Sequence, residues 1–174
     1  EDGDVFVSNH PYEGNLPHVP DMGVIMPIFQ DRVLVGFSGS IAHKADLGGT
    51  IPGSTWGQAT EIFQEGIIYP PIRYHRSGVL NVDFERLIYA NSRFPETTLG
   101  DLRGQVAAID IGRQRLKNIC AEYSAKTVLD CMDAMVVAAA KEFRIALNAL
   151  PEGTAEAESF LDSDGVNYSK AIRM

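Results

Sequence analysis

The sequence predicts an α+β fold: a Gly/Pro-rich mixed β half with a hairpin, then two or three long packed helices and a final edge strand. Up to about Gly78 the chain is rich in glycine, proline and β-branched residues. From Asn81 onward apolar residues recur three, four and seven positions apart. With 174 residues, 45% of them hydrophobic and 22% charged, the chain is large enough to bury a core.

In order, residues 4–7 read as a short strand. Apolar runs at 22–29 and 32–37 flank Gln30-Asp31, a hairpin signal of a less favoured type than Asn-Gly. Gly48 to Ser54 forms a glycine-rich loop. Two further runs, 67–69 and 71–74, straddle Pro70-Pro71, which forbids a central paired strand at the prolines themselves. Asn81 can cap a helix running to about Arg93. Thr98-Leu99-Gly100-Asp101 resembles a helix start, followed by one long face of Leu102, Val106, Ile109, Leu116, Ile119 and Tyr123. Gly104 and Gly112 weaken that helix or mark close packing. A third helix over 125–150 carries a stripe of Val128, Met132, Met135, Val136, Ala139, Phe143 and Leu147, read as core. Residues 154–160 alternate as an edge strand would.

The formal net charge of −8 argues against nucleic acid or an anionic membrane as the main partner. No run approaches the roughly eighteen apolar residues of a membrane span. The two cysteines, Cys120 and Cys131, lack CxxC spacing and read as buried free thiols, which suits a reducing cytoplasm. The opening Glu1-Asp2-Gly3-Asp4 has no initiator Met and no signal-peptide pattern. The expectation is a single partial domain cut from a longer polypeptide: a β and loop part at 1–78, a helical part at 79–150, and the start of a further β part at 151–174.

The chemistry-bearing residues concentrate in the loop-rich half. His18-Val19-Pro20-Asp21 and His43-Lys44-Ala45-Asp46 each place a His three positions before an Asp. Imidazole nitrogen with carboxylate oxygen is the donor set of a catalytic divalent ion, and Pro20 stiffens the first loop. Solvated loop residues explain the same pattern equally well. Glu61 and Glu65 add carboxylates, either of which can serve as a general base beside such an ion or as a further ligand. Surface acids are the plainer account of both. The glycine-rich loop lacks the lysine and the strand–helix setting of a nucleotide site.

These residues carry a family resemblance. Gly3-Asp4-Val5-Phe6-Val7-Ser8-Asn9, Pro11-Tyr12-x-Gly14, His18-Val19-Pro20-Asp21, His43-x-x-Asp46-x-Gly48-Gly49 and Pro52-Gly53-Ser54 resemble the hydantoinase B family. So do Glu61 to Gly66, Pro70-Pro71, Asn91-x-Arg93-x-Pro95-Glu96, Gly100-Asp101-Leu102-Arg103, Pro151-x-Gly153-Thr154 and Phe160-Leu161-Asp162-x-Asp164-Gly165. The resemblance implies a subunit or domain of a 5-oxoprolinase, hydantoinase, lactam hydrolase, or acetone or acetophenone carboxylase.

It further implies a cytoplasmic hetero-oligomer with a hydantoinase A-like subunit that handles ATP, acting on a small carbonyl compound. His18, Asp21 and His43 would hold a divalent ion, zinc or manganese, with Glu65 and Asp46 as the catalytic carboxylates and Asp46 in the supporting role. The chain departs from the family pattern at His10, where many members carry Asp, and in the one-residue-longer Gly14-Asn15-Leu16-Pro17-His18. Those departures lean the expectation toward a ketone carboxylase, with cyclic-amide hydrolysis as the alternative. A non-catalytic assembly module is the third reading.

Overall fold

The computed structural model describes residues 1–53, 56–164 and 166–174. Ser54 of the glycine-rich loop and Gly165 of the last family motif fall outside these residues. The expected α+β architecture is present, in two compact units, Glu1–Leu129 and Asp130–Met174.

The first unit is built on β1 (Val5–Ser8), β2 (Asp21–Gln30), β3 (Val33–His43), β4 (Ile72–Arg76) and β5 (Val79–Leu80), in antiparallel order β3-β2-β1-β4-β5. Period-two alternation gives this sheet two unlike faces. Val5 and Val7 with Met22, Val24 and Met26 are buried. They pack in one cluster with Phe84 and Ile88 of α1 (Val82–Ala90) and Leu99, Leu102 and Ile109 of α2 (Pro95–Tyr123). Each fully buried aliphatic side chain there contributes about 1.5–3 kcal/mol. On the opposite face Ile25, Phe37 and Ile41 are exposed.

The hairpin turns at Asp31-Arg32, one residue later than the sequence pattern indicates. Gln30 pairs with Val33, and both turn residues have positive φ, 51° and 67°. That is the primed turn whose twist matches the flanking strands, achieved here without glycine. The register then shifts between Ile28 and Phe29, so that Ile28 pairs with Gly36 while Phe29 pairs with Leu34. Val35 is therefore an extra residue, a bulge, and beyond it Asp21 stands opposite His43. In a regular register, with Val35 paired to Ile28, Ala42 would stand there instead. β3 also runs to His43 rather than ending at Phe37.

Asn81 caps α1 as expected, its side chain accepting from the Phe84 N–H at 3.2 Å. The helix ends at Ala90, short of Arg93, because α2 begins at Pro95 rather than Thr98. Proline occupies the first helical turn, where its missing N–H costs nothing. The Thr98 hydroxyl is engaged instead with Ser92 and the Asp46 carbonyl. Gly112 is a close-packing glycine: a Cβ there would lie 2.5 Å from Ser38 Oγ of β3, whereas Gly104 has nothing within 4 Å. Pro70-Pro71 ends where β4 begins, and β4 pairs with strands on both sides.

α3 spans Ala125–Asn148. Val128 packs with Ile28, Val35 and Cys120. The rest of the expected core stripe is exposed: Met135 by 71%, Val136 by 70% and Phe143 by 64%. Cys131 is exposed as well, against the expectation of a buried thiol. No described element of the second unit covers these side chains. The edge strand expected over 154–160 shrinks to β6 (Phe160–Leu161), paired antiparallel with β7 (Ile172–Arg173). Among the described residues no helix is long and apolar enough to cross a membrane.

Candidate metal centre

His18 lies in the loop between β1 and β2, and the Asp21 N–H donates to its carbonyl at 3.1 Å. That turn brings the carboxylate back toward the imidazole. Asp21 opens β2, and the bulged register sets His43, the last residue of β3, directly across from it. The result is a carboxylate between two imidazoles: His18 Nε2 is 3.3 Å from Asp21 Oδ2 and His43 Nδ1 is 3.6 Å from Asp21 Oδ1. The two rings tilt toward each other with centroids 5.0 Å apart.

These separations are long for charge-assisted hydrogen bonds of about 2.7–2.9 Å. They match the spacing of ligands around one ion: atoms at about 2.1 Å in tetrahedral arrangement stand about 3.4 Å apart. One donor atom from each residue lies within 4.8 Å of the other two, and His18-Asp21-His43 is the group of this kind among the described residues. Asp21 is 16% exposed, while His18 and His43 are 36% and 44% exposed. Such a site is closed on the protein side and open toward solvent, as a catalytic centre with vacant coordination positions requires. A two-His, one-carboxylate set thus fits a divalent ion in both geometry and donor chemistry.

Rigid backbone holds the triad. The Val19 peptide is clamped at both ends: its N–H donates to Glu65 Oε2 at 3.1 Å and its carbonyl accepts from Asn9 Nδ2 at 2.9 Å. Asn9 is fully buried and spends its other groups similarly, donating to the Ile67 carbonyl at 2.8 Å and accepting from the Tyr69 N–H at 2.9 Å. On the other side the Lys44 N–H donates to the Pro20 carbonyl at 2.9 Å, tying the end of β3 to the His18 loop. The Lys44 side chain runs into the core to Gln105, whose amide donates to the Met22 and Ser40 carbonyls. Burial draws the Lys44 ammonium below its usual range, and nearby Asp101 offsets part of that.

Glu65 closes a 3-10 turn, Ile62–Glu65. The strands of loop on either side are interlocked backbone to backbone: Thr50 N–H donates to the Gln64 carbonyl and Ile67 N–H to the Leu47 carbonyl, each at 2.8 Å. Glycine is needed at the contact, since a Cβ on Gly48, at φ +82°, would lie 2.5 Å from the Asn91 carbonyl oxygen. Asp46 is buried, and its carboxylate takes the Arg93 guanidinium at 2.6 Å, the Arg93 N–H and the Gly48 N–H at 3.2 Å. Both oxygens are engaged by these donors, which assigns Asp46 to holding the loop.

Beside His18 and Glu65 opens a groove of about 320 Å³, walled by Pro11, Tyr12, Pro17 and Ile62. A larger cleft of about 570 Å³ lies along α2 and contains none of the triad. It exposes a separate network in which the buried Tyr74 hydroxyl donates to Glu85 at 2.6 Å and Arg103 binds the same carboxylate at 2.6 and 3.0 Å. Arg103 holds Glu85 below the usual carboxylate range, against the opposing effect of burial and with help from Tyr74.

Asn9, Lys44, Gln105 and Arg93 are the site-building residues that candidate-ligand reasoning passes over. Gln105 left a trace in the sequence, being a polar residue between Leu102 and Ile109 on the buried face of α2.

The chain is 36% identical over 161 residues to one component of the putative D-/L-hydantoinase of Pseudomonas sp., covering 92% of this chain and 27% of that protein. It is 28% identical over 166 residues to the acetophenone carboxylase delta subunit of Aromatoleum aromaticum, covering 95% of this chain and 24% of that one. Among solved structures, the ATP-dependent caprolactamase from Pseudomonas jessenii aligns with a TM-score of 0.82 at 28% identity, over 91% of this chain and 28% of that one. The chain thus spans about a quarter of the length of these relatives. The family model for hydantoinase B/oxoprolinase matches residues 1–174, and the chain belongs to that family.

Proposed function

We propose that this chain carries the divalent-metal centre of an ATP-dependent enzyme complex that opens a cyclic amide, with a hydantoinase A-like subunit activating the carbonyl at the expense of ATP. The single observation behind this reading is the convergence of His18, Asp21 and His43 at ligand spacing beside an open groove. A divalent ion held there, zinc or manganese, supplies a Lewis acid that polarises carbonyl oxygen and eases deprotonation of water. Asp21 stands between the two imidazoles and would supply the carboxylate ligand. Glu65 lines the groove next to His18, anchored by the Val19 N–H, and serves as general base by taking the proton of the attacking water. Asp46 acts at one remove, bracing through Arg93 the loop that carries Glu65. A cytoplasmic location follows from the need for ATP and suits the free thiols.

Ring hydrolysis leads because one of the two departures behind the lean toward ketone carboxylation, His10, spends its Nδ1 on a turn, which leaves only the longer stretch over residues 14–18 to support that lean. Carboxylation is the second reading, supported by likeness to the carboxylase delta subunit. The test is the intact complex with ATP and a hydantoin or lactam, against ATP, bicarbonate and a ketone. Turnover of the ring compounds supports the first reading and of the ketone the second. No turnover of either, with no metal in the intact complex, leaves the assembly-module reading.

A further inference from the structure

We infer that His10 is a positioning residue for the groove: as the Nε2–H tautomer, its imidazole caps the turn that follows it and so sets Tyr12 in the groove wall that His18 shares. This inference rests on the function proposed above only for its effect on turnover.

The geometry fixes the tautomer. His10 Nδ1 lies 3.2 Å from the Tyr12 amide nitrogen and 3.0 Å from that of Glu13. A backbone N–H can only donate, so Nδ1 is the acceptor for both and the ring hydrogen sits on Nε2. One acceptor at the head of a turn, taking the N–H groups two and three residues on, is what an Asp or Asn side chain does in an Asx turn. An imidazole fills that place here. It therefore adds no fourth donor to the triad through Nδ1.

The rest of His10 is committed to the same turn. Its N–H donates to Ser8 Oγ at 3.1 Å and its carbonyl accepts from the Gly14 N–H at 2.8 Å. The turn closes so tightly that a Cβ on Gly14 would lie 2.8 Å from both the His10 carbonyl oxygen and Ser8 Oγ. Tyr12 is thereby gripped at its backbone while the residue stays 81% exposed and walls the groove that His18 and Glu65 also line. The His10 ring meets it edge-on, with centroids 6.1 Å apart. An exposed aromatic wall contributes to substrate binding only if its backbone is held in place beforehand, because ordering it on binding would cost affinity.

The experiment compares His10→Ala and His10→Asn in the full-length protein with its partner, since Asn keeps an acceptor where Nδ1 stands. Amide exchange of a peptide covering residues 10–16, read by mass spectrometry, should quicken about tenfold at two amides in the Ala variant and stay within about twofold in the Asn variant. KM should rise about three- to tenfold in Ala with kcat little changed and metal content intact, and Asn should restore it. Unchanged exchange in His10→Ala, failure of Asn to rescue, or loss of metal on removing the imidazole overturns the inference. If the wild-type complex shows no metal-dependent turnover, the proposed function falls, and the exchange comparison alone decides the cap.

Discussion

Replacing Asn9 tests how the triad is held. Its amide joins three backbone groups, the Val19 and Ile67 carbonyls and the Tyr69 N–H, at 2.8–2.9 Å, with no exposure of its own. Asn9→Ala leaves all three without their partner. Each buried polar group stripped of a partner costs about 1–3 kcal/mol, and water reaching the more open Ile67 carbonyl softens one of them. The expected loss is therefore about 3–5 kcal/mol, a large share of a stability of about 5–15 kcal/mol. Asn9→Asp is the sharper variant. It keeps the acceptor for Tyr69 but sets a carboxylate oxygen against two carbonyl oxygens, so it should destabilise at least as much despite its matched shape. Urea unfolding followed by circular dichroism measures both, and metal content of the folded fraction should drop, because the Val19 carbonyl sits next to His18. Variants within about 1 kcal/mol of wild type, with metal retained, would refute the clamp.

Deleting Val35 removes the bulge but leaves Gly36 opposite Ile28 and His43 opposite Asp21, so metal should be retained while stability falls with the loss of a buried valine, as metal analysis beside thermal unfolding would show. Gly48→Ala should lower stability by about 2 kcal/mol or more in thermal unfolding, from its positive φ and the Asn91 carbonyl in its path. Glu85 has a depressed pKa in the fold, so its contribution is present above its usual value of 4.5 and is lost as pH falls through the lower folded value. Glu85→Gln should accordingly be less stable than wild type at neutral pH, with the gap closing in acid, as denaturation at stepped pH would show. Glu65→Gln should cut kcat at least a hundredfold in the intact complex while metal stays bound.

The triad's residue types were legible because a ligand set has a recognisable chemistry, and the two His-x-x-Asp pairs stood in the stretch least suited to helix. Their meeting was not legible. It depends on a hairpin that turns at Asp31-Arg32 without glycine and on one extra residue at Val35, and neither leaves a mark in hydrophobic periodicity. The two Asp residues of the paired motifs part company for a similar reason. Asp21 falls on the strand register opposite His43, whereas Asp46 meets Arg93 from 47 residues downstream. Helix existence was readable from spacing, but the start of α2 was decided by Pro95 over the Thr98 pattern. Spacing reports which face of α3 is apolar and says nothing about what covers it, so the stripe reads as core although Met135, Val136 and Phe143 are exposed.

Metal analysis of the purified intact complex, wild type beside His18→Ala with His43→Ala, bears most directly on the central claim. One divalent ion per copy of this chain, lost in the double variant while the complex stays assembled, is the result the convergence of His18, Asp21 and His43 predicts. An intact complex without metal, or one that keeps its ion when both imidazoles are gone, would contradict it.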